Sequence, residues 1–445
     1  MIMIGFLGLL IAIAGLMAAW PSHASNRRVS REANLRSAYR TFANDSAILD
    51  RKYYRATGAL HPLSQNSERL GGLLGYPGWC YTGGSLRVMN DESIKITLEE
   101  GGYDDWITPR LRKAGLFPHK KWNLISNLRA TTGEGPKWSS RVFAANSISG
   151  TYESGFRFSL YEGEYYDFYN TSIGMGLLAA FEQASADGTN TKLSRLRNKM
   201  WTKTSESIRI QGYFALTAVA CLTVVVNDEG ALMLIHRRGN NVADNRGMVG
   251  PIPSGSHSTF LDADTPVTFL DTLKREFAEE LLGVDETGES PRRKVVEEAV
   301  DGLIQNDRVY LLGIGLYPTQ GYVMALALCV IDERSAPVRS WMSSKGVTSV
   351  VEAFIANYEG DIFVAPFERK EIDAIRRVHR RTPCLGEITR IISENFDEVN
   401  KCVTGATDDL SIVDKNSENL TQDHLTSMTR AVLKRIWHGS SDNKD

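Results

Sequence analysis

Six consecutive residues, Arg275-Glu276-Phe277-Ala278-Glu279-Glu280, set three carboxylates and a guanidinium on one short segment. At roughly 100° per residue, Leu270, Leu273, Phe277 and Leu281 form an apolar helical stripe. Glu276, Glu279 and Glu280 occupy the adjoining arc, with Arg275 beyond it. Like charges beside a core-facing stripe repel one another and resist desolvation. A hard divalent cation such as Mg²⁺ relieves both penalties, because it takes carboxylate oxygens and keeps waters for a phosphate substrate. On these six residues alone a solvated helix face is the ordinary alternative, where such pairs contribute only about 0.2–0.5 kcal/mol. Context decides between them.

The segment is preceded by a hairpin and a glycine loop. Ala220 to Val226 is a β-branched run, Asn227-Asp228-Glu229-Gly230 has turn chemistry, and Ala231 to His236 is a second apolar run. Gly247 to Ser256 reads as a short strand entering a glycine turn. Asp264-Thr265-Pro266 predicts a helix start and Gly283 its stop.

In this setting the chain resembles the Nudix hydrolase superfamily, whose box reads Gly-x5-Glu-x7-Arg-Glu-U-x-Glu-Glu-x-Gly-U, U being aliphatic. Arg275, Glu276, Glu279 and Glu280 match, with Phe277 at the aliphatic position and Gly255 resembling the box glycine. The resemblance covers about residues 215–395, and the wording around the quartet is similar to that of poorly characterised bacterial members. It implies an α/β fold, an α/β/α sandwich around a mixed sheet. It also implies that Glu276, Glu279 and Glu280 bind Mg²⁺ or Mn²⁺ and that Arg275 orients them. Three departures stand out. Gly255 precedes Arg275 by 20 positions, six more than in the box; Val267 replaces the isolated glutamate; and Gly283 comes one residue late. Asp262, Asp264 and Asp271 are nearby carboxylates out of register, and Glu333, Glu352 and Glu359 are candidates for a further ligand beyond the box.

The implied chemistry is hydrolysis of a nucleoside diphosphate linked to another group. Divalent ions neutralise the phosphates and acidify a bound water, and a carboxylate, Glu279 or Glu276, takes its proton. Arg237 and Arg238, with His236, end the second hairpin strand and can clamp a substrate phosphate, Arg being suited to bidentate contact; a solvated strand end is the plain alternative. His257 sits in the glycine loop, within reach of a ligand, although a lone loop histidine seldom does chemistry. The altered spacing motivates a second expectation, a catalytically silent Nudix-fold sensor that binds a nucleotide-like ligand. A scaffold without either property is the third.

The 445 residues leave room for two or three domains. A 42% hydrophobic content suits a globular core, and a net charge of −2 argues against a nucleic-acid-binding surface. Cys80, Cys221, Cys329, Cys384 and Cys402 form neither a disulfide framework nor a zinc pattern. Met1 to Trp20 is uncharged and long enough to span a membrane as a helix. Arg27, Arg28, Arg31, Arg36 and Arg40 follow it, which places the soluble body in the cytoplasm; a cleaved signal peptide is the alternative. The expected division is a transmembrane anchor at 1–25, an α+β region at 26–205, a Nudix-like domain at 210–398, and a polar tail with a short helix at 399–445. Within it, Phe156–Leu160 alternates as a strand, Ile173–Ser185 predicts a helix, and Lys192–Arg209 a basic helical connector. Val309–Ile314 and Tyr322–Ile331 predict buried strands, Val350–Tyr358 a strand or helix, and Arg369–Val378 and Thr382–Phe396 helices.

Overall fold

The computed structural model describes residues 29–42, 49–50, 60–63, 72–116, 124–132, 139–185, 192–204, 206–239, 247–260, 267–284, 292–354 and 360–405. The expected membrane span, Asp262, Asp264, Glu359 and the tail beyond residue 405 lie outside them. No helix among the described residues is long and apolar enough to cross a membrane.

The first half runs α1 (29–42), β1 (His61–Pro62), β2 (Leu74–Gly75), β3 (Arg87–Val88), β4 (Ile94–Leu98), α2 (Ile107–Lys113) and α3 (Leu124–Thr132). It continues with β5 (Arg141–Thr151), β6 (Gly155–Glu164), α4 (Tyr165–Phe168), a π-helical turn (Tyr169–Ile173), α5 (Gly174–Ser185), α6 (Lys192–Met200), β7 (Trp201–Lys203) and β8 (Ser207–Ile210). The second half runs β9 (Thr217–Asn227), β10 (Gly230–Arg238), β11 (Val249–Pro251), β12 (Ser254–Ser256), α7 (Phe269–Glu280), α8 (Arg293–Val300), β13 (Val309–Leu316) and β14 (Val323–Asp332). It closes with α9 (Ala336–Lys345), α10 (Val350–Ala353), β15 (Gly360–Pro366), α11 (Arg369–Arg376), α12 (Pro383–Glu394) and α13 (Phe396–Thr404).

The result is a mixed α/β architecture around a curled mixed sheet of ten strands, with a second sheet of five. The long sheet runs β1-β2-β13-β14-β9-β10-β11, with β12 on β9, β15 on β10 and β3 on β13. Its centre is the parallel pair β9 and β14, in register from Thr217 opposite Val323 to Val226 opposite Asp332. Both strands are apolar and buried almost throughout, the pattern of strands covered on both faces. The hairpin predicted at Asn227–Gly230 forms, with the Asn227 side chain accepting from the Glu229 and Gly230 amides at 3.0 Å each.

The two halves share one core. Strands β1, β2 and β3 of the first half extend the long sheet from β13, and Ala144 of β5 bridges Leu216 beside β9. The smaller sheet, β4-β6-β5-β8-β7, carries the alternation seen at Phe156–Leu160. The predicted connector is corrected: only Lys192–Met200 is helical. Trp201, Ile208 and Ile210 are buried and set an alternation that makes β7 and β8 instead.

The box segment is α7. It starts at Thr268 rather than at Asp264-Thr265-Pro266, the last three lying outside the described residues. Thr268 Oγ1 accepts from the Asp271 amide at 3.1 Å, and Asp271 accepts from the Thr268 amide at 3.0 Å, a reciprocal cap. Past Leu281 the chain turns at Gly283, whose φ of 66° is readily adopted only without a Cβ.

Candidate functional site

The buried face of α7 is wider than the apolar stripe predicts. Leu273, Phe277 and Leu281 are fully buried, and Arg275, Glu276, Glu279 and Glu280 are buried as well, between 5 and 8% exposed. The solvated-face alternative is therefore excluded. The helix rests on β9 and β12, and the charged residues are fixed to the Ser254–Ser256 strand. Arg275 Nη2 donates to the Ser256 carbonyl at 2.7 Å and to the Glu276 carboxylate, while its Nε lies 3.7 Å from Glu279 Oε1. The Ser254 amide donates to Glu280 Oε2 at 2.9 Å.

Gly255 explains the fit. A Cβ built on it would fall inside the Glu276 carboxyl group, so only glycine allows helix and strand to approach this closely. Gly255 thus meets Glu276 directly, although twenty-one positions separate them.

A cavity of about 130 Å³ opens on the other side of this strand. Ser254, Gly255 and Ser256 form one wall; His236 and Arg238 of β10 and Gly250 and Pro251 of β11 form another. Tyr317, Tyr322 and Met324, the start of α12 at Thr382 and Cys384, and Tyr165 and Phe168 from the first half complete it. Tyr317 and Tyr322 stack at 4.2 Å between ring centres, and Phe168 meets Tyr322 edge-on at 5.6 Å. Gly255 thus lines the cavity and touches the carboxylate cluster, whose glutamates lie behind it and off the cavity wall.

Of the predicted phosphate contacts, Arg238 and His236 line the cavity and Arg237, next along the alternating strand, does not. His236 is 2% exposed, and its Nε2 is buried with no hydrogen-bond partner among the described residues. Burial, reinforced by the Arg238 charge, lowers its pKa to about 4, so it is neutral at pH 7. His257 belongs to the core: it is fully buried, stacks on Phe269 at 4.7 Å and shares a 2.6 Å hydrogen bond with Thr272. Burial, with the Arg275 charge, lowers its pKa to about 3. Cys384 lies 3.1 Å from Thr382 Oγ1 and 3.4 Å from the Tyr317 hydroxyl, and burial pushes its thiol up, against a nucleophilic thiolate.

Two of the candidate outer carboxylates serve as caps. Glu333 Oε1 accepts from the Ser349 hydroxyl at 2.7 Å and the Val350 amide at 2.6 Å, and Glu352 completes the same helix start. Asp271 caps α7 and pairs with Arg293 at 3.2 Å.

Among the described residues no group of three or more His, Cys, Asp or Glu side chains is gathered so as to hold a metal ion. The donor chemistry of α7 nevertheless suits a hard divalent cation, being carboxylate oxygen throughout. Glu276 and Glu279 face Arg275 and Glu280 faces the Ser254 amide, so seating an ion requires some of these contacts to be exchanged.

Sequence reasoning missed the aromatic and α12 walls. Thr382-Pro383 signals a helix start, and Tyr165 and Phe168 lie in a Tyr-rich run. Neither signal places those residues beside Gly255. No family model matches the chain, and no curated protein matches it either.

Proposed function

We propose that this chain is a Nudix-type protein with an α/β/α sandwich built on β9–β15, α7 and α12, and that it hydrolyses a nucleoside diphosphate linked to another group. The observation carrying this reading is Gly255: it joins the buried carboxylate edge of α7 to the cavity, so ligand and acidic cluster share one strand. Glu276, Glu279 and Glu280 are the residues to hold Mg²⁺ or Mn²⁺, and Arg275 positions Glu276 and Glu279. Such an ion supplies charge neutralisation for the phosphates and a bound water of lowered pKa. The chain itself contributes a buried setting for the carboxylates and, in Arg238, a positive charge on the cavity wall.

The second reading, a nucleotide-binding module that no longer cleaves, is favoured by the engagement of Glu276 and Glu280 with protein donors. One assay separates the two. A nucleotide panel with Mg²⁺ and Mn²⁺ should give diphosphate cleavage that Glu279→Gln reduces by a factor of at least about 100, with melting temperature unchanged. Tight binding of a nucleotide with no product from either protein selects the silent module. Neither binding nor cleavage ends both.

A further inference from the structure

The loop joining β13 to β14, residues 317–322, is buried at every position, although a connecting segment ordinarily stays at the surface where water satisfies its backbone. Here side chains from elsewhere in the chain take that part. Arg197 of α6, 1% exposed and lying over the Trp201 ring at 5.1 Å, donates to the Pro318 carbonyl. Tyr213, fully buried between β8 and β9, donates its hydroxyl to the Gly321 carbonyl at 2.6 Å and accepts from Trp201 Nε1. Thr319 donates to the buried Asp50 carboxylate. The residue after Tyr213 holds a second segment. The Phe214 amide donates to Thr171 Oγ1 at 2.9 Å and its carbonyl accepts from Ser172 Oγ at 2.6 Å, which fixes the π-helical turn that follows α4. Both tethered segments end in the cavity: Tyr317 and Tyr322 bracket the loop, and Tyr165 and Phe168 lie on α4.

We propose that Tyr213 is a positioning residue for the cavity, its hydroxyl holding the 317–322 loop and with it the aromatic wall that a ligand meets. The first half of the chain thereby forms part of the ligand site. This role rests on the cavity of the preceding reading being where a ligand binds; it needs neither cleavage nor a divalent ion. A wall ordered in advance spares the ligand the entropy of ordering it. Freed from its tether, the loop spends only a fraction of its time with Tyr317 and Tyr322 in place, and apparent affinity falls by that fraction. The α7 cluster is attached separately, through Ser254 and Ser256, so releasing the loop weakens binding and leaves the chemistry of the bound state alone.

The test is hydrogen exchange, read by mass spectrometry on the full-length chain in detergent, comparing the native protein with Tyr213→Phe. This variant removes one hydroxyl and keeps the ring. Peptides covering 317–322 should exchange about tenfold faster, while β9 and β14 keep their native protection. Cys384, 3.4 Å from the Tyr317 hydroxyl, is a second reporter. Iodoacetamide should alkylate it about tenfold faster in the variant, with the buried Cys221 and Cys329 unchanged. Should Tyr213→Phe fail to fold, Thr319→Val, which removes the loop's bond to Asp50, serves with both readouts and the same expected outcome. An unchanged loop, or a loss of protection shared evenly by β9 and β14, overturns the positioning role. With the nucleotide panel as probe, Tyr213→Phe should raise KM about tenfold at unchanged kcat, where Glu279→Gln lowers kcat. Absence of cleavage by the native chain defeats only the hydrolase reading, since exchange and alkylation still decide this one. Cleavage by Tyr213→Phe with native KM and kcat defeats only this one.

Discussion

Helices α7 and α12 each bury a cluster of acids and guanidinium groups, and they differ in what those acids rest on. On α12, Glu387 is 1% exposed and accepts from Arg390 Nε at 2.8 Å and Nη2 at 2.5 Å; Arg390 also reaches Glu394, which Arg376 approaches at 3.9 Å. Two acids meet two guanidinium groups, and the i,i+3 and i,i+4 spacing suffices to explain the arrangement. Burial still pushes the Glu387 carboxyl up, with Arg390 pulling it back. On α7 three carboxylates share one helix edge: Glu276 and Glu279 pair with Arg275, and Glu280 accepts from the Ser254 amide. Each cluster also rests on a glycine: Gly255 receives the Glu276 carboxyl group, and Gly386 receives the Arg381 guanidinium. The comparison teaches that buried charge alone does not mark a site. Attachment of the α7 acids to a strand that also lines the cavity is the distinguishing feature.

The sharpest way to break the comparison is to remove the guanidinium from each helix. Arg390→Met strands a buried Glu387 and should cost about 3–5 kcal/mol by denaturant titration, with Mg²⁺ or Mn²⁺ making no difference. Arg275→Met should lose a comparable amount in chelator and regain a substantial part when millimolar Mg²⁺ or Mn²⁺ is added, because binding to the folded state stabilises it. Equal indifference of both variants to divalent ions would place α7 with α12 as purely structural.

The two glycines give a smaller and more discriminating contrast. Gly255→Ala drives a Cβ into a carboxyl group held between strand and helix, and overpacking of this kind costs about 1–3 kcal/mol. Gly386→Ala meets the end of the long Arg381 side chain and gains up to about 1 kcal/mol of helix propensity, so its net loss should be clearly less. Melting temperatures of the two variants check the order. A Gly386→Ala loss equal to that of Gly255→Ala would show that Gly255 holds no special relation to the α7 glutamates.

How much of this was legible in the sequence follows from the range of each interaction. The β9–β10 hairpin is local turn chemistry, and the α7 stripe is periodicity over twelve residues, so both could be read directly. Burial of the glutamates could not, because periodicity placed them beside the stripe and only Gly255, twenty-one residues from Glu276, lets the helix close over them. Strands β1, β2 and β3 hold two residues each, too few to show alternation, and form by pairing, β2 and β3 on β13 and β1 on β2. The cavity draws on residues from Tyr165 to Cys384, and no spacing rule spans that distance.

The smallest expected effect separates the two buried histidines, which sit on the cavity wall and in the core. Both titrate near 6.5 when unfolded, whereas in the folded chain His236 is held at about 4 and His257 at about 3. Between these values the unfolded chain binds protons that the folded chain refuses, so stability falls as pH drops through 6.5 and each contribution levels off only below its folded pKa. Lowering pH from 7 to 5.5 should therefore remove about 1 kcal/mol for each histidine. Replacing either one by Phe should remove its share of that slope, measured as the pH dependence of the urea midpoint. An unchanged slope in either variant would show that burial does not hold that ring below its unfolded pKa.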